Sequence, residues 1–242
     1  MYDKKLQHDK EFRFKPAIIF DFGNVLVDWD PRYLYRKFFP DDRAIERFLL
    51  EINFQEWNLR QDCGRPFAEA VEELCQQYPH YCDPIRAYDT RWEESLIGPI
   101  WPSVEILRQL KQQGAALYGL SNWSAEKFSL VRPKYDFFDW FKAIVLSGEV
   151  QLAKPDPRIF HLMLEKIGRP AAECLLVDDS LKNIDAAQQL GFQTIHFRSA
   201  EQLESDLIRQ SILESNITLT SCPVCGIIQA TKITTKGDDG NE

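Results

Sequence analysis

Two patterns of apolar and polar positions alternate along most of the chain. Short runs of apolar residues without polar interruption, such as "AIIF" at 17–20 and "CLLV" at 174–177, are typical of parallel strands buried on both faces. Longer stretches carry apolar residues at helical spacing, and "PSVEILRQLKQQG" at 102–114 closes on Gly114, a common helix stop. Strand and helix in regular alternation predict an α/β fold with a doubly wound, Rossmann-like parallel sheet.

The alternation is interrupted between residues 30 and 98, where the pattern is helical throughout. The segment "DPRYLYRKFF" begins this region, with Asp30 as an N-cap and Pro31 at the first helical position. The sequence therefore predicts an all-helical cap at 30–98, inserted into an α/β core that is formed by residues 16–29 and 99–213.

The two ends of the chain differ from this core. Residues 1–15 form a polar leader, and residues 214–242 lack helical periodicity and end in glycines and charges, so we expect a largely disordered tail. The tail contains "CPVCG", in which Cys222 and Cys225 form half of a zinc knuckle. Because no second pair lies nearby, a zinc site within one chain is not expected, and a site shared between chains stays open.

Composition narrows the possible partners and the location. The 242 residues carry a formal net charge of −8, which argues against binding to a phosphate backbone, since nucleic-acid affinity comes largely from clustered Lys and Arg. The charged N-terminus lacks the apolar core of a signal peptide, and no later stretch approaches the roughly 18 apolar residues of a membrane span. A cytoplasmic protein with mostly reduced cysteines is expected.

Polar side chains follow four of the predicted strands. Because all strands of a parallel sheet end at the same edge, these side chains are expected to converge on one cleft. Any one of them alone could be a helix cap or a turn residue, but chance capping does not predict this mixture of groups. The set comprises Asp21, Ser121, Asn122, Ser147, Asp178 and Asp179, with Gly148 directly after Ser147 and Lys154 just before the helix that follows the third strand.

These groups suit the transfer of a phosphoryl group. A carboxylate can accept the phosphoryl group and pass it to water, while a hydroxyl, an amide and a lysine can bind the transferring oxygens. Three neighbouring carboxylates would repel one another without a cation, so the pattern also implies Mg²⁺.

Four motifs, in this order along the chain, resemble those of the haloacid dehalogenase-like (HAD) hydrolase superfamily. They are "DFGNVLVD", "LSN", "KPDPRIF" and "VDDSLKNIDAA". Each is weak alone, but the four together are specific. The helical region at 30–98 occupies the place of that family's helical cap.

The resemblance implies a role for each matching residue. Asp21 would be the nucleophile, Ser121 a phosphate-binding hydroxyl and Asn122 the group that positions the phosphoryl oxygens. Lys154 would neutralise those oxygens and orient Asp21.

The resemblance also implies a set of metal ligands. Asp179 aligns with the family's metal-binding acid, and Asp178 stands where many relatives have glycine. Together with Asp21 and the backbone carbonyl of Gly23, they would hold Mg²⁺.

Gly23 departs from the family pattern. Most phosphatases of the superfamily have a second aspartate there, which protonates the leaving alcohol. With glycine at this position, the motif resembles that of a bacterial branch that includes α-glucose-1-phosphate phosphatases. An anomeric hydroxyl leaves with less protonation than an ordinary alcohol, so Gly23 predicts a preference for acidic leaving groups. Asp28, Asp30 or a cap residue could instead supply the acid, although Asp30 also fits a plain N-cap.

The cap is expected to determine specificity. Its segment "FQEWNLRQDCGRPF" offers Trp57, Asn58 and Arg60 as candidate substrate contacts, while Trp57 could equally be a core residue.

The leading prediction is a Mg²⁺-dependent phosphatase for small phosphorylated metabolites, with sugar phosphates as the favoured class. Two alternatives stay open: a 2-haloacid dehalogenase, which would have no use for the paired acids Asp178 and Asp179, and a catalytically silent HAD fold that binds a metabolite or a protein partner. The sequence fixes neither the substrate nor the oligomeric state.

Overall fold

The computed structural model of the protein describes residues 15–214 and the backbone of two later strands. Over these residues the chain forms nine strands. They are β1 (Ala17–Phe20), β2 (Val27–Trp29), β3 (Leu96–Pro99), β4 (Ala116–Ser121), β5 (Ala143–Leu146), β6 (Cys174–Asp178), β7 (Gln193–His196), β8 (Ile217–Ser221) and β9 (Ile228–Lys232).

Eleven α-helices are present in the same part of the chain. Five precede β3: α1 (Pro31–Tyr35), α2 (Asp42–Glu51), α3 (Phe54–Asp62), α4 (Phe67–Gln77) and α5 (Cys82–Thr90). Six follow it: α6 (Trp101–Gln112), α7 (Ala125–Val131), α8 (Ser147–Val150), α9 (Pro157–Ile167), α10 (Leu181–Gln189) and α11 (Ala200–Arg209). Short 3₁₀ turns lie at Pro79–Tyr81, Trp92–Ser95, Arg132–Lys134, Asp136–Trp140 and Ala171–Glu173.

Five strands form one parallel sheet in the order β5-β4-β1-β6-β7. The first strand is central, with Phe20 opposite Gly119 of β4 on one side and Val177 of β6 on the other. The strand order reverses at β1, and such a switch point opens a crevice at the carboxyl ends of the strands. The predicted α/β fold with a doubly wound parallel sheet is confirmed.

The sheet is covered on both faces, as its uninterrupted apolar strands require. Side chains alternate across a strand, so Ile18 and Phe20 join one apolar cluster while Ile19 joins the other. The first cluster extends into the inserted helices and includes Phe48, whereas the second contains Phe160 of α9. The insert therefore shares its core with one face of the sheet.

The inserted helices α1 to α5 lie between β2 and β3, which pair antiparallel and form a two-stranded connection. Aromatic rings fill the interior of the insert: the centroids of Tyr35 and Phe48 are 4.9 Å apart, and those of Phe54 and Tyr88 are 5.0 Å apart. Edge-on contacts of this kind add to the stabilisation that burial provides. An all-helical insert is therefore present where the sequence predicts a cap.

One pair of cysteines departs from the expectation of reduced thiols. Cys75 and Cys82 form a disulfide bond, because the 3₁₀ turn at Pro79–Tyr81 folds the end of α4 back onto the start of α5. Cys63 and Cys174 are free thiols.

Two short strands lie in the described part of the tail. Strands β8 and β9 pair antiparallel, in keeping with the alternating β-branched residues of "ITLTS". Cys222 and Cys225 lie outside the described residues. Within the described ranges, no helix combines the length and the apolar character needed to cross a lipid bilayer.

Candidate active site

Asp21 lies at the carboxyl end of the central strand, with both carboxylate oxygens engaged. Its Oδ1 accepts hydrogen bonds from Ser121 Oγ at 2.7 Å and from the backbone N–H of Phe22 at 2.7 Å. Its Oδ2 lies 2.9 Å from Nζ of Lys154. The backbone N–H of Asp21 continues the sheet by donating to the carbonyl of Val177 at 2.9 Å. The carboxylate is thus held in one orientation at the switch point.

The residue after Asp21 anchors this loop in the core. The ring of Phe22 is fully buried and lies against Gly119 of β4, where a Cβ atom would overlap the ring. Gly119 therefore leaves the space that Phe22 needs. By contrast, a Cβ added at Gly23 would meet nothing within 4 Å, so the cleft beside Asp21 is open at that position.

Lys154 is buried, and three oxygen atoms surround its ammonium group. Nζ donates to Asp178 Oδ2 at 2.6 Å and to the carbonyl of Leu120 at 2.8 Å, in addition to its contact with Asp21. The side-chain amide of Asn122 bonds both the N–H and the carbonyl of Lys154, each at 2.8 Å. Asn122 thus holds Lys154 in place, a role that the sequence did not predict for the asparagine. The Nδ2 atom of Asn122 retains a second proton for a ligand.

Three carboxylates converge at this edge of the sheet. One oxygen each from Asp21, Asp178 and Asp179 lies within 4.8 Å of the others. Asp178 also accepts hydrogen bonds from Ser180 N at 2.9 Å and from Asn183 Nδ2 at 3.0 Å. With its oxygens engaged in this way, Asp178 supports the site from below, whereas Asp179 lines the cavity.

The charges in this cluster do not balance. Burial, followed by the charge of Asp178, raises the pKa of Asp179, and burial likewise raises the pKa of Asp21 despite the opposing charge of Lys154. Burial favours a lowered pKa for Lys154, but the charges of Asp178 and Asp21 outweigh it, so its net pKa is raised. One ammonium thus faces three carboxylates, and hard oxygen ligands with excess negative charge suit Mg²⁺. The residues present fit that ion.

A cavity of about 250 Å³ opens above Asp21, between the sheet edge and the insert. Four of its lining residues are aromatic, and most of the rest carry carboxyl, amide or hydroxyl groups. The lining comprises Asp21, Gly23, Asn24, Trp29, Asn58, Asp62, Tyr88, Trp92, Ser121, Asn122, Trp123 and Asp179. The structure therefore brings Asp21, Gly23, Ser121, Asn122 and Asp179 together in one cavity, with Lys154 and Asp178 beneath.

The predicted cap contacts do not all reach this cavity. Asn58 lines it, but Trp57 packs inside the insert and donates from Nε1 to the carbonyl of Ala70 at 3.2 Å. Arg60 lies on the exposed side of α3, 3.4 Å from Glu56. Successive helical residues point about 100° apart, so the face of α3 that meets the cavity excludes Trp57 and Arg60.

Neither carboxylate of the "VDWD" segment lines the cavity. Asp28 accepts a hydrogen bond from the hydroxyl of Tyr33 at 2.9 Å. Asp30 caps α1 by accepting from the N–H of Arg32 at 2.8 Å. The structure thus places both residues at the entrance to the insert, and Asp30 has the N-cap position that the sequence also allowed.

Asp62, at the end of α3, is the cavity carboxylate that sequence reasoning missed. Its Oδ2 accepts from Asn58 Nδ2 at 2.8 Å, and its Oδ1 accepts from the N–H of Ser124 at 3.1 Å. Burial, with the nearby charge of Asp21 adding to it, raises the pKa of Asp62 to about 8. The available signal was an acid at the end of a helix, two residues before the turn at Gly64.

Comparisons with known proteins agree with this geometry. A sesquiterpene phosphatase, astK of Aspergillus oryzae, is 30% identical over 180 residues, which cover 74% of this chain and 88% of that protein. The drimenol cyclase drtB of Aspergillus calidoustus is 27% identical over 195 residues, 79% of this chain but only 35% of that protein. This chain thus spans about a third of the cyclase and most of the phosphatase.

A solved structure extends the comparison to ligands. The HAD family enzyme bt-2542 of Bacteroides thetaiotaomicron, in complex with magnesium and inorganic phosphate, superposes with a TM-score of 0.56 at 26% identity, covering 75% of this chain and 93% of that one. The phosphatase relative astK, together with the phosphate bound in the bt-2542 complex, favours phosphate hydrolysis over dehalogenation for this chain. Residues 15–191 match the haloacid dehalogenase-like hydrolase family, and the chain belongs to that family of hydrolases.

Proposed function

We propose that the protein is a Mg²⁺-dependent phosphomonoester hydrolase that works through an aspartyl-phosphate on Asp21. The observation that carries this proposal is the contact of Asp21 Oδ2 with Lys154 at 2.9 Å, beside two further carboxylates and at the floor of a cavity. A carboxylate held in a fixed orientation next to a cation site is suited to in-line attack on phosphorus.

Each residue of the site has a defined task in this reaction. One oxygen of Asp21 attacks the phosphorus atom, and the bond to the leaving oxygen breaks. The hydroxyl of Ser121 would turn its single proton from Asp21 Oδ1 to a transferring oxygen, and the second Nδ2 proton of Asn122 would bind another. Lys154 keeps Asp21 aligned and offsets negative charge. Water then attacks the aspartyl-phosphate and releases inorganic phosphate, which restores the carboxylate.

The metal ligands would be Asp21, Asp179 and the carbonyl of Gly23. Asp178, whose oxygens accept from Lys154, Ser180 and Asn183, would take part as a metal ligand only by giving up one of these bonds, and otherwise adds its negative charge to the site. When bound, Mg²⁺ supplies charge neutralisation for the phosphoryl oxygens. Support comes from the three convergent carboxylates and from the magnesium complex of bt-2542.

The proposed substrates are small phosphorylated metabolites, with sugar phosphates as the first candidates. A cavity of about 250 Å³ accommodates a small leaving group. Asn24, Asn58 and Asn122 offer amides to hydroxyl groups. A D-ribitol-5-phosphate phosphatase of Bacteroides thetaiotaomicron, 26% identical over 198 residues, supports this class.

The aromatic lining favours a second candidate class, isoprenoid phosphates. Trp29, Tyr88, Trp92 and Trp123 surround the cavity, and the ring centroids of Trp92 and Trp123 are 5.8 Å apart. Such rings bury an unsaturated hydrocarbon chain as readily as a sugar face. The relative astK is a sesquiterpene phosphatase, and sesquiterpenes are isoprenoids, which supports this second class.

A panel of sugar, polyol, prenyl and aryl monophosphates with Mg²⁺ tests the proposal. We expect phosphate release from wild type, none above background from Asp21→Asn, and loss of turnover in EDTA. Chloride release from 2-chloropropionate without metal would establish the dehalogenase instead. Binding of phosphate compounds without any turnover would establish a silent binding protein. Cell fractionation tests the cytoplasmic location that the sequence predicts.

A further inference from the structure

The cavity lacks an acid at the position after Phe22, where Gly23 leaves open space. Expulsion of an ordinary alcohol from a phosphate ester is faster when a positioned acid protonates the leaving oxygen. Among the described residues that line the cavity, the carboxyl groups are Asp21, Asp62 and Asp179. Asp21 is the proposed nucleophile and Asp179 a proposed metal ligand, which leaves Asp62 without a task in the reaction.

We infer that Asp62 is the acid and base of the reaction, so that the cap supplies the function that Gly23 lacks. The inference rests on the proposed phosphatase function. In the first step Asp21 Oδ attacks phosphorus, the bond from phosphorus to the leaving oxygen breaks, and that oxygen takes the proton of the Asp62 carboxyl group. The products of this step are the free alcohol, the aspartyl-phosphate and the Asp62 carboxylate.

The second step restores both residues. Water attacks the phosphorus atom while the Asp62 carboxylate accepts one of its protons, and the bond from phosphorus to Asp21 breaks. Inorganic phosphate leaves, Asp21 is again a carboxylate and Asp62 is again protonated. One water is consumed for each ester cleaved, so protons and electrons balance over the cycle.

The surroundings of Asp62 suit this role. Its two neighbours, Asn58 Nδ2 and the N–H of Ser124, both donate to it, so neither takes up its acidic proton. The hydroxyl of Tyr88 donates to Asn58 Oδ1 at 2.8 Å and thereby fixes which end of the amide faces Asp62. The main-chain carbonyl of Asp62 accepts from Ser147 Oγ, which ties the end of α3 to the start of α8.

Titratable neighbours of Asp62 do not offset its charge. Asp21, across the cavity, adds negative charge. The pKa values of Cys63, the next residue in the chain, and of Tyr88, on α5, are raised by burial first and by the charge of Asp62 in addition. The loop after β4 and the start of α8 contribute Ser124 and Ser147, which do not titrate. Because burial raises the pKa of Asp62 to about 8 and no cation among the described residues offsets it, the carboxyl group retains its proton at neutral pH, as a general acid requires.

Asp62→Asn, measured on aryl and alkyl phosphates, tests the assignment. We expect kcat/KM for an alkyl phosphate to fall roughly 10²–10⁴-fold, whereas kcat/KM for p-nitrophenyl phosphate, whose leaving group needs no proton, changes little. We also expect a burst of p-nitrophenol, because the aspartyl-phosphate now lacks its base. Asp28→Asn is the matched control and should behave as wild type.

Gly23→Asp in the Asp62→Asn background provides a second readout. The open space at Gly23 admits the side chain, so alkyl phosphate turnover should recover in part. An equal fall of kcat/KM on both substrates, or no fall on the alkyl ester, would overturn the role of Asp62 while leaving the phosphatase intact. Absence of turnover by wild type on every ester would overturn the proposed function and this inference together.

Discussion

Lys154 Nζ and Asp21 Oδ2 are 2.9 Å apart, and this ion pair joins the loop before α9 to the central strand. The same ammonium holds Asp178. Both of its partners depend on it for neutralisation, so the lysine has a structural and a chemical role that different measurements can separate.

Replacement of Lys154 by methionine should remove activity and stability together. Two buried carboxylates lose their cation, and removal of one partner from such a buried pair costs about 3–5 kcal/mol. Urea unfolding in EDTA and phosphate release are the measurements. Lys127→Met is the matched control, since Lys127 is also buried and pairs with Asp89 at 2.5 Å; it should lose stability but still form the aspartyl-phosphate. A Lys154→Met protein with wild-type turnover would contradict the proposed site.

Magnesium should stabilise the folded protein through the three carboxylates. Binding to the native state raises the free energy of unfolding by RT ln(1 + [Mg²⁺]/Kd), so the melting temperature should rise with Mg²⁺ and return in EDTA. Asp179→Asn should weaken this response. Asp185→Asn, an exposed acid on α10, should leave it unchanged. An equal response in both variants would argue against Asp179 as a ligand.

Without metal, stability should fall as pH rises. Asp21 and Asp62 have pKa values raised above 3.8 in the folded protein, so the unfolded chain loses these protons first and the native state is penalised as pH rises. The stabilisation is complete below about pH 4 and, for Asp62, is lost by about pH 8. Asp62→Asn should flatten this slope in urea unfolding at pH 5, 7 and 9. A slope identical to wild type would contradict the raised pKa.

The same proton governs the expected rate profile. If Asp62 acts in its protonated form, kcat/KM for alkyl phosphates should decline above about pH 8. This decline should be absent in Asp62→Asn, whose remaining activity no longer depends on that proton. An unchanged alkaline limb in the variant would assign the limb to another group.

Gly119→Val should disturb the site from within the core. A side chain at Gly119 overlaps the ring of Phe22, and overpacking of this kind costs about 1–3 kcal/mol. Because Phe22 follows Asp21 directly, turnover should fall along with thermal stability. Gly23→Ala is the control for stability, because a Cβ there meets nothing within 4 Å. Tolerance of valine at 119 would show that the loop can repack.

The sequence was sufficient to predict which residues meet at the edge of the parallel sheet. Asp21 and Asp179 each follow a strand and Ser121 ends one, and a parallel sheet brings the carboxyl ends of its strands to one edge whatever the loops do. Lys154 follows a similar logic, since it lies in the loop before α9, just beyond the short helix α8 that follows β5. Prediction of these residues needed only the alternation of strand and helix together with the four motifs.

The contribution of the insert could not be predicted in this way. Trp57, Asn58 and Asp62 lie within one helix, and which of them meets the cavity depends on the rotation of α3 against the sheet. Long-range contacts set that rotation, among them the hydrogen bond from Ser124 N to Asp62. Trp57 was predicted as a substrate contact because it is aromatic. A large apolar ring is equally stable when buried inside the insert, which is where Trp57 lies.

The close contact between the insert and the core near Gly64 has a consequence for any exchange of the insert. Gly64 lies two residues after Asp62, the aspartate that the insert places in the cavity. A Cβ at Gly64 would lie 2.9 Å from the carbonyl oxygen of Gly148. If Asp62 is the acid and the base, the insert encodes the residue that moves protons and the sheet encodes the nucleophile. A chimera that joins this sheet to a foreign cap would then inherit a nucleophile without a proton donor.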